Sequence, residues 1–476
     1  PCGLVVALVL AWAVFVIVKY YGSDRFAINI SALDTLINGM FSFNFFHSYF
    51  LKVCYSILLA VWIFFVSIGV GAYLLKFLRV LGEDKYGEKL VFSLGLGLCA
   101  ISTITLFLGF MGLYYRWIFY VVLVFMSLVA VHSWRNVWQG DSPANKSKPG
   151  SFSSNKIIWS IVGFLLLVNL VGTLTPEIFY DSLNYHLASP NYYIQNHRIL
   201  PMLTNFYFAF PMNMEMLYTF ALLLSDEILS KMMHFITCIG IVLALLAFGR
   251  RYLTEKAGLL SAVFYLSMPM VAMNTWTTAV ETGQTFFQLL GFYVLLNSLL
   301  CEETTQRRNW LILSGIFTGF AMGIKYTAFT ILPISLVVLV WHGLVKRKKN
   351  LKIVIREAFL YGSVAFVMIL PWLLKNSVDH KNPFYPFIGQ YIGEPKISKQ
   401  KWMSFKDTGV RDVAATLKNA GLRKELLLHP WLITMGGQSN ADFVGPIFLV
   451  FVPLLILVKL LSPPMKMMGL YLIITW

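Results

Sequence analysis

The run Ile157-Ile158-Trp159-Ser160-Ile161-Val162-Gly163-Phe164-Leu165-Leu166-Leu167-Val168-Asn169-Leu170-Val171-Gly172-Thr173-Leu174-Thr175 carries no charge. It leads straight into Pro176-Glu177-Ile178-Phe179-Tyr180-Asp181-Ser182-Leu183-Asn184-Tyr185-His186. The first stretch is long enough to cross roughly 30 Å of hydrocarbon as a helix, and the second brings carboxylates and aromatic rings to the membrane surface. A carboxylate just outside a bilayer points to chemistry on a lipid-borne substrate.

The rest of the chain extends that reading. Of 476 residues, 58% are apolar and only 13% charged, against about 25% charged in soluble globular proteins, and the mean hydropathy is +0.70. Apolar runs recur at roughly 3–20, 52–78, 90–112, 115–133, 157–175, 228–248, 257–274, 281–300, 311–326, 328–345, 353–374 and 443–461, with another begun at 467. The fold class expected is an all-α polytopic membrane protein of about 12 complete spans plus one cut short, because helices satisfy their backbone groups within lipid. Pro1 in place of Met and an end at Trp476 inside an apolar run read as truncations, and 3–20 lacks the basic start and cleavage site of a signal peptide.

The net charge of +16 does not imply nucleic acid, since the basic residues sit in short loops between apolar runs. If the spans alternate, Arg79/Lys85/Lys89, Arg135/Lys146/Lys148/Lys156, Arg250/Arg251/Lys256, Arg307/Arg308 and Lys346/Arg347/Lys348/Lys349/Lys352 share one side, which the positive-inside rule makes cytoplasmic. That alternation requires Met212 to Leu224, about 13 residues, to be an interfacial or re-entrant helix rather than a span. The polar segments 176–227 and 375–442 then share the outer face. Asp141 to Asn155, rich in Ser, Pro, Lys and Gly, reads as a linker. It divides a four-span module (1–140) from a core (157–476), with 141–156 between them. Cys2, Cys54, Cys99, Cys238 and Cys301 are scattered and imply neither disulfides nor a metal site. No phosphate loop, zinc-helix, nucleophile-elbow or dinucleotide motif is present.

Several residues on the outer face are candidates for chemistry. Asp181 precedes a helical pattern that Pro190 kinks or divides, and its alternative role is an N-cap. Glu281 opens a span, where an acid costs about 2.5–3.5 kcal/mol at the bilayer centre and less at an end. Capping is its alternative. Lys325 lies between two short spans with almost no loop, where it would neutralise a phosphate or snorkel to the interface. Lys375, His380 and Lys381 form an outer basic cluster whose alternative role is a headgroup rim. Trp276, Trp372 and Trp402 would stack on a sugar or sit in the interfacial aromatic belt, the belt being favoured.

The order of these features resembles the polytopic glycosyltransferases of the C superfamily, in particular the branch similar to protein O-mannosyltransferases and the lipid A aminoarabinose transferase. The resemblance runs from about Ile157 to Leu461. It rests on Phe179-Tyr180-Asp181, Ser230-Lys231-Met232-Met233-His234, Gly249-Arg250-Arg251-Tyr252, Pro269, Glu281, the stretch Gly315 to Lys325, Lys381-Asn382-Pro383-Phe384-Tyr385-Pro386, and Val444-Gly445-Pro446. It implies a glycosyltransferase C type fold with outer-face interfacial helices, a polyprenyl phosphate sugar donor, and a lipid, glycan or protein acceptor. The site would face the periplasm from a bacterial inner membrane.

By the same resemblance Asp181 is the base that deprotonates the acceptor, or the group that orients it, for one inverting displacement, and Glu281 is a second acid. Many relatives carry aspartate at this second position. Cations beside the leaving phosphate would lower the barrier, with Lys325 first and Arg198 and Lys375 after it. With Tyr180, the residues Asn184, Tyr185 and His186 follow Asp181 closely enough to line the same pocket, where they would bind sugar or simply pack, packing being favoured for Tyr185. No cofactor is implied, and a divalent cation bridging phosphate and carboxylate is compatible without being required by ligand spacing. The rival readings are a lipid-linked glycan ligase or polymerase, which would want more outer arginines, and a lipid or glycan transporter, which would show paired repeats.

Overall fold

The computed structural model describes residues 2–21, 46–80, 86–134, 155–202, 204–387, 428, 431–432 and 449–450. Every regular element among them is helical. In chain order these are α1 (Cys2–Tyr21), α2 (Phe46–Phe77), α3 (Tyr86–Phe110), α4 (Arg116–Ser133), α5 (Lys156–Thr173), α6 (Ala188–Gln195), α7 (Asn213–Leu224) and α8 (Glu227–Tyr252). They continue with α9 (Glu255–Leu266), α10 (Pro269–Thr275), α11 (Glu281–Leu300), α12 (Thr304–Met322), α13 (Ile331–Trp341) and α14 (Leu351–His380). The expected spans at 443–461 and 467 and the linker at 141–154 lie outside the described residues, as do most of 375–442 and Trp402.

Seven of the described helical stretches are long and apolar enough to cross a membrane, or eight if α9 and α10 form one broken span. The outward surfaces support a lipid-facing role. On α5, Ile157, Ile161, Phe164, Leu167, Val168 and Val171 are all exposed. They recur every three to four residues along the side facing away from the protein, where a soluble helix would be polar. The expected spans at 281–300 and 311–326 are helices but fall short of that apolarity. Glu281, Gln284, Gln288 and Asn297 dilute the first, and α12 carries Gln306-Arg307-Arg308-Asn309 in its first two turns.

The chain forms two compact units, neither of which ends at the expected linker. One comprises Pro1–Cys54, Ser267–Met273 and Ile397–Lys466. Within it the Trp12 indole donates to the Leu449 carbonyl at 2.6 Å, and Trp12 and Phe15 pack on Trp431. The other unit holds Tyr55–Leu266, Asn274–Lys396 and Met467–Trp476. Helices α3 and α4 pack on α7, and α3 also on α8, so these N-terminal helices belong to the same body as the candidate site. At its centre α8 and α11 lie side by side, flanked by α3, α7, α9 and α12.

Helix α7 fits the re-entrant alternative rather than the interfacial one. Eleven of its residues, including Asn213, Glu215 and Thr219, are buried. An interfacial helix would keep one polar face in water, whereas α7 is enclosed by α3, α4, α6 and α8, the setting of a re-entrant segment sheltered by protein.

Small residues let α2 and α3 approach closely. A Cβ on Gly97 would fall 1.9 Å from the Ser67 carbonyl oxygen, and one on Gly71 would fall 1.7 Å from that of Ser93. Backbones this close depend on glycine. Gly97→Leu is expected to destabilise the protein by about 1–3 kcal/mol or more, read as a lowered thermal midpoint in detergent. An unchanged midpoint would mean that the two helices do not pack this way.

The polar contacts sort into two ends, as alternation of the spans demands. At one end, Arg251 donates to Glu88 at 2.6 Å, Asn297 to Glu88 at 3.0 Å, Lys349 to Glu357 at 2.6 Å, and Arg347 to the carbonyls of Leu299 and Leu300. At the other, Tyr114 N donates to the His197 carbonyl, Thr278 to Glu177, Lys325 to Glu281, and Tyr326 to the Tyr385 carbonyl.

Candidate functional site

At the Asp181 end, two side chains fix where the segment after α5 begins. The Glu177 carboxylate accepts from the Thr278 backbone N–H at 2.7 Å and from its hydroxyl at 3.0 Å, clamping the segment to the turn before α11. Lys231, in the first turns of α8, donates to the Thr175 carbonyl at 2.6 Å. The chain between these anchors and α6 then presents Ile178 and Tyr180 almost fully to the surface, with Leu183 exposed beside them.

Asp181 does not cap a helix. Its backbone is itself helical (φ −66°, ψ −35°) and its carboxylate caps no N–H. It precedes a π-helical turn, Ser182–His186, closed by Leu187 N donating to the Ser182 carbonyl at 2.8 Å. Such one-residue widenings concentrate at functional sites. Here the wide turn buries Tyr185 and His186 side by side, with ring centroids 4.0 Å apart. It also ends the helix before Pro190, which falls in the first turn of α6, so the expected division lies at Leu187.

The Tyr185 hydroxyl donates to Asp181 Oδ2 at 3.4 Å, and its ring stacks on Tyr207 at 4.6 Å. Burial, and then the charges of Asp181, Glu215 and Glu281, push its phenol well above the usual tyrosine range. Tyr185 is thus held as a neutral hydrogen-bond donor. Asn184 turns its backbone to the protein, its carbonyl accepting from Asn205 at 3.2 Å.

Beneath this turn lies a pair that involves a residue outside the expected site. His186 Nδ1 and Glu215 Oε1 are 2.6 Å apart, each side chain 3% exposed. Glu215 is placed by the start of α7, which is tied down at Asn213. There Nδ2 donates to the Phe320 carbonyl, N–H to the Gly323 carbonyl, and Oδ1 accepts from the Trp372 indole at 2.7 Å. Trp372 is accordingly a core residue, 1% exposed, and not part of an aromatic belt. An acid inside the apolar run 212–224 is itself a functional signal, and it was legible in the sequence.

Glu281 and Lys325, expected in separate roles, form one ion pair at 2.6 Å, each side chain between a third and a half exposed. Glu281 also accepts from Val280 N at 3.1 Å, so it shares its charge with the start of α11. Lys375 is buried inside α14, which runs on to His380. It pairs with Asp379 at 3.3 Å and donates to the Phe208 carbonyl at 3.2 Å. The expected outer basic cluster is corrected on that ground, because its first lysine is turned inward and neutralised. Arg198 is exposed, with no side-chain hydrogen bond or ion pair to a described residue. The structure thus gathers Asp181, Tyr185, His186, Glu281 and Lys325 with Glu215, and it joins neither Arg198 nor Lys375 to them by a hydrogen bond or ion pair.

Among the described residues no group of three or more His, Cys, Asp or Glu side chains is arranged to hold a metal ion. What the cluster offers is a half-exposed carboxylate with a neutral phenol donor, an exchangeable ion pair, and an imidazole backed by a carboxylate. These are parts for orienting a hydroxyl, moving its proton and meeting an anion.

No curated protein and no solved structure matches the chain. A family profile described as Domain of unknown function (DUF8201) matches residues 54–403, taking in α3, α4 and every residue of the cluster, and the chain belongs to that family.

Proposed function

We propose that this protein is a membrane glycosyltransferase that moves a sugar from a polyprenyl phosphate donor to an acceptor hydroxyl at the Asp181 end. That end would face the periplasm from a bacterial inner membrane. The observation that carries the reading is the placement of Asp181, a half-buried carboxylate hydrogen-bonded by Tyr185 and flanked by exposed Ile178, Tyr180 and Leu183. A carboxylate beside exposed apolar side chains suits a substrate that is lipid at one end and sugar at the other. Resemblance to the C superfamily supplies the reaction class.

In this reading Asp181 orients or deprotonates the acceptor. The donor phosphate draws Lys325 away from Glu281, a partly exposed pair that is cheap to exchange. Tyr185→Phe removes one hydrogen bond worth about 0.5–1.5 kcal/mol, so the rate is expected to fall about 2- to 10-fold, measured as initial velocity at saturating donor.

Orientation is tested by Tyr180→Cys in a background free of native cysteines, since Tyr180 is 74% exposed. A membrane-impermeant maleimide should label it in intact spheroplasts. Labelling only after lysis would place the cluster in the cytoplasm and remove the reading.

A further inference from the structure

We infer that His186 is the catalytic base of the transfer and that Glu215 is its positioning residue, with Asp181 orienting the acceptor. The inference rests on the sugar-transfer reading above. It assigns the proton: the acceptor oxygen bonds to the anomeric carbon, the bond from that carbon to the phosphate oxygen breaks with its electron pair leaving on the lipid phosphate, and the acceptor's proton passes to His186 Nε2.

Three observations carry it. First, Nδ1 is committed to Glu215 Oε1 at 2.6 Å. An ionised carboxylate can only accept, so the hydrogen of this bond lies on Nδ1 and Nε2 is the nitrogen left to take a proton. The same carboxylate stabilises the imidazolium that forms when Nε2 takes a proton.

Second, Nε2 has no described partner, yet it is not among the enclosed polar atoms that lack one. The ring is 3% exposed, so what remains open is its reactive edge. A histidine serving only as packing would have both nitrogens paired or both enclosed. Glu215 Oε2 is enclosed without a partner, so the described hydrogen bonding of this carboxylate goes to His186 alone.

Third, the neighbours suit the task. Tyr185 links the two candidate bases, its ring against His186 and its hydroxyl on Asp181. Among the described residues, the charged and titratable groups facing His186 and its partners include Tyr185 on its own segment, hydrogen-bonded to Asp181 and stacked on Tyr207, Glu215 on α7, His234 on α8, and Glu281 on α11 with its partner Lys325.

The test uses the full chain reconstituted in vesicles with radiolabelled polyprenyl phosphate hexoses and pentoses. His186→Gln should lower kcat by about 10²-fold or more with KM for the donor nearly unchanged. Glu215→Gln should lower kcat by about tenfold and displace the acid limb of the kcat–pH profile. In wild-type protein, diethyl pyrocarbonate should inactivate in step with carbethoxylation of His186, mapped by peptide mass, which keeps the test independent of how the variants fold. Active wild type with folded variants that retain kcat and profile, or inactivation with His186 unmodified, would overturn the base assignment alone. Wild type inactive towards every donor would overturn the transfer reading beneath it.

Discussion

Asp181→Asn lowers the release of polyprenyl phosphate by about 10²- to 10⁴-fold while leaving expression and the thermal midpoint unchanged. The side chain makes one described hydrogen bond, from Tyr185 at 3.4 Å, and caps no helix. Asparagine is the same size and still accepts that bond through its amide oxygen, so the fold loses little. What the substitution removes is the negative charge that holds the acceptor hydroxyl and favours its loss of a proton. Donor affinity, read as KM, should move by less than threefold or so, because Asp181 is assigned to the acceptor. A variant that folds and turns over at more than half the wild-type rate would separate Asp181 from the chemistry.

The largest effect on stability is expected at the opposite end of the protein. Glu88 is buried and pairs with Arg251 through both carboxylate oxygens, at 2.6 and 2.5 Å, while accepting from Asn297 at 3.0 Å. Removing Glu88 leaves Arg251, one-fifth exposed, without its carboxylate and Asn297 without its acceptor, and breaking a buried pair costs up to about 3–5 kcal/mol. Glu88→Ala should therefore unfold well below the wild-type midpoint in detergent. The double variant Glu88→Leu with Arg251→Met should recover much of the loss, since it buries no unpaired charge. Equal losses in the single and double variants, followed by thermal denaturation, would mean that the pair is not the source of the effect.

Much of the fold was legible because lipid imposes simple demands on sequence. Uncharged runs such as 157–175 predicted helices where α5 and its counterparts stand. The pairings within each end were not legible. Glu281 meets Lys325 across 44 positions, and His186 meets Glu215 across 29. Local periodicity carries no information about such contacts, so Lys325 read as a free cation when it is half of an ion pair.

Two placements were left open for the same reason. Trp372 was favoured at the interface, where tryptophan is common, but Asn213 offers its indole a buried acceptor. Met212–Leu224 was expected to be interfacial or re-entrant because it is too short to span, and its enclosure by neighbouring helices fits the re-entrant alternative. In each case composition described the side chain's preference, while the neighbours that satisfied it came from elsewhere in the chain.

The most direct test of the central claim is turnover of labelled polyprenyl phosphate sugars by the reconstituted wild-type protein, with anomeric configuration read in the product. The account predicts release of free polyprenyl phosphate from at least one donor, well above protein-free vesicles, with inversion at the anomeric carbon. Folded protein that releases none from any donor, or a product with retained configuration, would contradict it.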